Sequence, residues 1–214
     1  MRIGDPGRAS PLPRTRWLLI APILCLLAVG AGGCAFGDRY VNLKYEPVEE
    51  TYAANGRIAV LAFQDERPRD RLQDIGEVRN GFGMVTANVR IDTKADQHQN
   101  QDIGRWVADA LVQELRRAGA DAQSVESPEA AVGYPVVVTG SISQLWVNMY
   151  MQYDAKLRTT VRITRDGTVA FEGPISGDYE TLAVFAARGE YETALRKTLQ
   201  AWVRNTMPHF VQPP

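Results

Sequence analysis

The sequence predicts an α+β domain, a two-layer sandwich in which a mixed, mostly antiparallel sheet carries two helices on one face. Three observations lead there. Two stretches, 103–118 and 188–206, place apolar residues at helical spacing. Between them, Leu145 to Ile163 alternates apolar and polar with period two, the pattern of a sheet with one dry and one wet face. Near the start, Arg57 to Phe63 (RIAVLAF) is apolar on both faces, as a strand buried on both sides must be. Helices with a single apolar stripe bury it against such a sheet, and two layers result.

Met1 to Arg16 is basic, with Arg2, Arg8, Arg14 and Arg16 against Asp5, and Trp17 to Val29 (WLLIAPILCLLAV) is apolar. That run is too short for a span, which needs ~20 apolar residues, and it contains Pro22. Gly30-Ala31-Gly32-Gly33 then puts small residues directly before Cys34. The segment, residues 1–33, reads as a removed export signal and resembles a lipobox, in which Cys34 receives the acyl chains, palmitate among them. Ala31 stands where Leu is usual; the alternative is an ordinary secretory signal cut near Gly33. Since two chains already hold stably, N-terminal acylation makes a membrane the first expected partner. Ala35 after the cysteine resembles the sorting signal for the outer membrane, with the domain in the periplasm.

With the four arginines and Asp5 gone, the formal charge moves from −1 to −4. Such a mildly acidic chain without a basic block gives no reason to expect nucleic acid. Cys25 leaves with the signal and Cys34 is taken by lipid, so stability must come from the packed core. Residues 34–56 read as a lipidated tether, polar apart from Tyr40, Val41, Leu43 and Tyr45. The globular domain is 57–210.

Its first strand ends at Gln64-Asp65-Glu66-Arg67-Pro68, where charge and proline stop it. Residues 70–83, with Gly76, Gly81 and Gly83, read as loop, and Met84 to Ile91 as a strand. Asp102 caps the first helix and Gly119 ends it. A short strand follows at 122–125. The alternation from Leu145 to Ile163 is too long for one ordinary strand of ~5–6 residues, so a reversal falls near Met149 to Gln152. Parity is kept across that point, which predicts a three-residue turn, a bulge, or one long bent strand. Asp166-Gly167 is tight-hairpin chemistry, and strands at 168–171 and 176–182 continue the meander. The last helix, Arg188 to Thr206, stripes Tyr191, Ala194, Leu195, Leu199 and Trp202, with Arg188, Glu192 and Arg196 as outer ion pairs; Pro208 stops it.

The chain resembles the YajG-type family of uncharacterised bacterial envelope lipoproteins. The resemblance rests on Cys34, the Asp65-x-Arg67 strand exit, Ile75-Gly76 with Arg79-Asn80, the helix ending at Gly119, and Ser143-Gln144-Leu145 leading into the meander. It implies an envelope lipoprotein and carries over no catalytic residue.

His98 and His209 are far apart and no ligand cluster exists in the sequence, so no metal and no cofactor are expected. Gly76-x4-Gly81-Phe82-Gly83 lacks the Lys-Ser/Thr pair of a phosphate loop. Asp65 and Arg67 mark a candidate strand-exit site: adjacent carboxylates can shift one another's pKa, although a hydrogen-bonded turn explains them too. Trp146 and Tyr150, pointing to the wet face beside Arg158, form a candidate partner surface, since Trp, Tyr and Arg dominate interface energetics. The expectation is therefore a non-enzymatic, lipid-anchored accessory or adaptor protein holding another envelope protein on its open sheet face. The alternative is a binder or carrier of a small envelope ligand, a lipid or cell-wall fragment. Oligomeric state is not readable from the sequence.

Overall fold

The computed structural model describes residues 37–68, 72–92, 102–182 and 187–211. Chain order is β1 (Arg39–Val41), β2 (Arg57–Leu61), β3 (Gln64–Asp65), β4 (Asp74–Arg79), β5 (Val85–Ile91), α1 (Ile103–Arg117), β6 (Asp121–Val125), β7 (Val136–Tyr150), β8 (Gln152–Arg165), β9 (Thr168–Leu182) and α2 (Arg188–Thr206), with single 3-10 turns at Glu129–Ala131 and Met207–His209. All nine strands join one sheet.

β7 is the spine of that sheet. Along one edge it pairs in turn with β2 at Val136–Val138, β3 at Ser141–Ile142 and β4 at Val147–Met149; along the other it pairs with β8 over its whole length. β6 flanks β2, β5 flanks β4, and β1 flanks β5. The α+β class and the mixed sheet hold, and the long β7–β8 and β8–β9 ladders make most of its residue pairs antiparallel. The departure is that the sheet is curled, not the layer of a strictly antiparallel two-layer sandwich. The β1–β5, β2–β6, β2–β7, β3–β7 and β4–β7 ladders are parallel, and only β4–β5, β7–β8 and β8–β9 are antiparallel. The reason is connectivity. α1 leads into β6, and the 3-10 segment carries the chain back to start β7, so both strands run parallel to the doubly buried β2.

The period-two stretch resolves into the β7–β8 hairpin. Met149 faces Tyr153, Tyr150 faces Gln152, and Met151 sits between them at φ 60, so the reversal is the three-residue turn that kept parity requires. Asp166 and Gly167, both at positive φ, make the next turn as expected. β9 runs unbroken through Gly173-Pro174 because among the described residues it is an edge strand, paired with β8 alone, where a missing N–H costs no ladder bond. Asp102 caps α1 through Gly104 N at 2.7 Å and Arg105 N at 3.2 Å, and Gly119 follows the helix at φ +101.

Two expectations fail here for identifiable reasons. Residues 70–83 contain strand β4, hidden because register shifts at both its ends break the alternation. Gly76 within it is no loop signal: a Cβ there would lie 2.0 Å from the Val147 carbonyl oxygen, so only glycine lets the two backbones meet. The tether is the second correction. Residues 37–56 form a strap bound to the domain, with Val41, Leu43, Val48 and Ala54 buried. Glu114 on α1 accepts from the Tyr45 hydroxyl at 2.6 Å and from Val48 N at 2.9 Å, while Arg117 donates to Val48 O at 2.8 Å. On α2, Gln200 donates to Glu46 O at 2.8 Å, Arg204 pairs with Glu50 at 2.6 Å, and Arg196 pairs with Glu46 rather than with Glu192. A polar sequence concealed the strap because its anchors are polar.

Both helices lie on the apolar face of the sheet. Phe63 stands between them: its carbonyl abuts Gly104 of α1, and its ring meets Trp202 of α2 edge-on at 5.6 Å. Tyr191 likewise meets Tyr153 edge-on at 5.0 Å. Among the described residues no helix covers the opposite face of β7–β9.

Candidate functional site

On the open face, β3 ends its pairing with β7 at Ile142 and β4 begins at Val147. Among the described residues no strand pairs with Ser143–Trp146 along that edge. A bulge sits at the same place, between Ile142 and Gln144, and switches the buried side chains from even positions (Val136, Val138, Ile142) to odd ones (Leu145, Val147). The gap is an open groove of about 280 Å³, lined by Arg67, Pro68, Asp74, Ser143, Gln144, Leu145 and Trp146.

One wall is built by Arg67. Its guanidinium engages Asp65 with two parallel bonds, Nε to Oδ1 at 2.9 Å and Nη2 to Oδ2 at 2.8 Å, and donates further to Leu72 O at 2.9 Å and Asp74 O at 3.3 Å. The Arg67 side chain is 5% exposed and that of Asp65 26%. Both Asp65 oxygens are thus engaged in fastening the turn, and Glu66 is held by its own N–H to Ile142 O at 3.0 Å. The fork geometry is what arginine supplies and lysine cannot. Arg67→Ala is expected to cost about 2–3 kcal/mol, because it strands a carboxylate and a carbonyl near the interior, and Arg67→Lys should recover less than half. Urea midpoints at unchanged m-value measure both; an Arg67→Ala loss below about 0.5 kcal/mol would show the clamp to be incidental.

The structure brings some of the sequence-selected residues together and separates others. Half-buried Trp146 lines the same groove as Arg67. Arg158 faces Gln144 from β8 and is held by Asp178 at 2.7 Å and Gly177 O at 3.3 Å. Around it the open face carries two further ion pairs, Lys156–Asp154 along β8 at 2.8 Å and Arg162–Glu172 between β8 and β9 at 2.8 Å. Such exposed pairs add little stability, but they balance the charge of the face. Tyr150 lies four positions further along β7, at the sheet's far end, where its hydroxyl donates to Gly81 O at 3.4 Å. Cys34 and His98 lie outside the described residues. His209 stacks on Phe171, centroids 3.8 Å apart, and burial holds its pKa below the ordinary value.

Ser143, Gln144 and Asp74 were missing from the candidate set as site residues. The signal for the first two was present: apolar parity switches between Ile142 and Leu145, and a parity switch inside a strand marks a bulge. Asp74 gave none, since its strand was itself concealed. Among the described residues no three His, Cys, Asp or Glu are placed to hold a metal, and no helix is long and apolar enough to cross a membrane.

No family model and no curated protein matches the sequence. Among solved structures, the fold is similar to a DUF330 protein of Xanthomonas campestris (10% identity, 80% of this chain and 94% of that one, TM-score 0.49). It is also similar to PelC, a dodecamer from Paraburkholderia phytofirmans (11%, 78% and 96%, TM-score 0.41), and to lipoprotein GNA1162 of Neisseria meningitidis (10%, 64% and 91%, TM-score 0.35). At about one residue in ten identical, none of them assigns an activity, ligand or partner to this chain.

Proposed function

We propose that this chain is a lipid-anchored, periplasm-facing envelope lipoprotein of the outer membrane, non-catalytic, and that it holds another envelope protein at the Arg67–Trp146 groove and the adjoining open face. The anchor rests on the signal-like segment ending at Cys34. The observation that carries the binding role is the interruption beside Ser143–Trp146. A rigid wall clamped by Arg67 and a half-buried indole flank a stretch of β7 that no described strand covers on that side. Extended peptide segments bind beside strands in this manner, with side-chain pockets adding specificity. The groove is open rather than enclosed, which suits a chain segment better than the acyl tail that a carrier would have to shield.

The test is photo-crosslinking in cells from a reactive residue at position 146, with mass spectrometry of the adducts. One dominant protein adduct is expected. Trp146→Ala and Arg158→Glu should each weaken co-purification of that protein at least about tenfold, as loss of an interface hot spot does, with circular dichroism unchanged. Lipid or muropeptide adducts would replace the adaptor reading with ligand carriage, and the absence of any adduct would remove the groove from consideration.

A further inference from the structure

Two chain reversals and the end of β9 meet at one end of the sheet, and several large apolar residues are exposed there. β4 runs parallel to β7, so the β4–β5 loop lies at the end where β7 turns into β8. The Tyr150–Gly81 hydrogen bond ties the two loops together. β9 finishes there too, with Leu182 opposite Gln152. Phe82 is 89% exposed, Leu182 82% and Met151 73%; Met84 and Val85 are more than 45% exposed.

The β4–β5 loop is built to display its ring. Asn80 Oδ1 accepts from Phe82 N at 3.0 Å and Met84 N at 3.1 Å, Gly83 N donates to Asn80 O at 2.8 Å, and Arg79 donates to Gly83 O at 2.9 Å. A loop so fastened cannot fold Phe82 back onto the core. Clustered apolar residues held outward mark a surface for another apolar phase.

Chain direction says which one. β1 is parallel to β5, Arg39 beside Val89, and Asp38 accepts from Asn88 N at 3.1 Å. Upstream of Asp38 the register therefore points toward Val85 and the apolar end, which lies only about 10 Å away along β5. Asp38 is four residues from Cys34, a reach of at most about 14 Å. Those four residues of chain tie any acyl chains on Cys34 to within about 14 Å of Asp38, on whose upstream side the apolar end lies. We infer that the Phe82–Met84, Met151 and Leu182 tip is a membrane-contacting surface that inserts into the interface of the leaflet holding the acyl anchor. It sets the domain upright on the membrane. The inference rests on the lipoprotein reading of Cys34; the occupant is lipid, not protein.

The experiment uses the full lipoprotein, purified from membranes and reconstituted into phosphatidylethanolamine–phosphatidylglycerol vesicles. Single thiols are introduced by Phe82→Cys, Leu182→Cys and Thr168→Cys, the last at the opposite end of the β8–β9 hairpin, roughly 45 Å away along the strands. Each carries an environment-sensitive fluorophore. A doxyl-labelled lipid should quench the labels at 82 and 182 about twofold or more, because side chains at an interface sit ~5–10 Å into the headgroup region, while the label at 168 should respond only to aqueous iodide. Acylated protein whose label at 82 is quenched by iodide alone overturns the inference and leaves the anchor standing. An intact mass without acyl chains on Cys34 overturns the anchor, and the inference with it. Labels shielded from both quenchers, with protein crosslinks between copies, would give the tip to a second molecule and overturn the lipid assignment.

Discussion

Replacing Trp202 with alanine will lower the free energy of unfolding by about 4 kcal/mol, the usual scale for removing a fully buried tryptophan. The melting midpoint should fall by roughly 10 °C for a domain of this size. Trp202 is wholly buried on α2, and two specific interactions meet on it. Its ring takes the edge of Phe63 at 83°. Its Nε1–H donates to Thr159 Oγ1 at 2.8 Å, and the Thr159 hydroxyl in turn donates to Ile175 O at 3.0 Å. The chain of bonds crosses from α2 to β8 to β9, so the deletion leaves a cavity and a hydroxyl short of its donor. Trp202→Phe fills most of the cavity and should cost about half as much. Combined with Thr159→Val in a double-mutant cycle, it isolates the hydrogen bond, expected at about 1 kcal/mol. An alanine cost under about 1.5 kcal/mol would mean that α2 is held mainly by its other contacts.

Glu114→Ala should cost about 3 kcal/mol and should do so locally. The carboxylate is 1% exposed, pairs with Arg117 at 2.7 Å, and receives both the Tyr45 hydroxyl and the Val48 amide. Burial first, then the bond and charge of Glu114, push the Tyr45 phenol well above its usual range, so it remains a donor at every physiological pH. Without the acceptor, an amide, a phenol and a guanidinium lose their common partner. Amide exchange at Val48 and Ala54 should accelerate far more than at Val138 or Val161 in the core, and proteases should gain access within 42–56. Glu114→Gln keeps one acceptor and should show a smaller version of both effects. Uniform acceleration across the domain would contradict the picture of a separately fastened strap.

These two residues also show how unevenly the fold was written in the sequence. Trp202 was evident because helical periodicity and burial coincide on it, and the β7–β8 reversal was evident because parity is arithmetic. The strap was not, because Glu46 and Glu50 read as solvent-facing until the helix that receives them is in place. β4 was lost for a different reason: it needs Gly76 for a backbone contact with β7, and glycine signals looseness when read locally. The groove was half visible. Arg67 and Trp146 were each selected on chemistry, but nothing local to either could reveal that β3 and β4 stop short of one another across β7.

The strap has a consequence in time. Asn42, Glu46, Pro47 and Glu50 find their partners at Glu192, Arg196, Gln200 and Arg204, some 150 residues later in the chain. A polypeptide that emerges from its amino end must leave these residues unmatched until the final helix has been made. Closing such distant pairs is slow because the loop entropy is spent before any contact repays it. Residues 42–50 are therefore among the first of the domain to be synthesised, and their contacts with α2 among the last that can form.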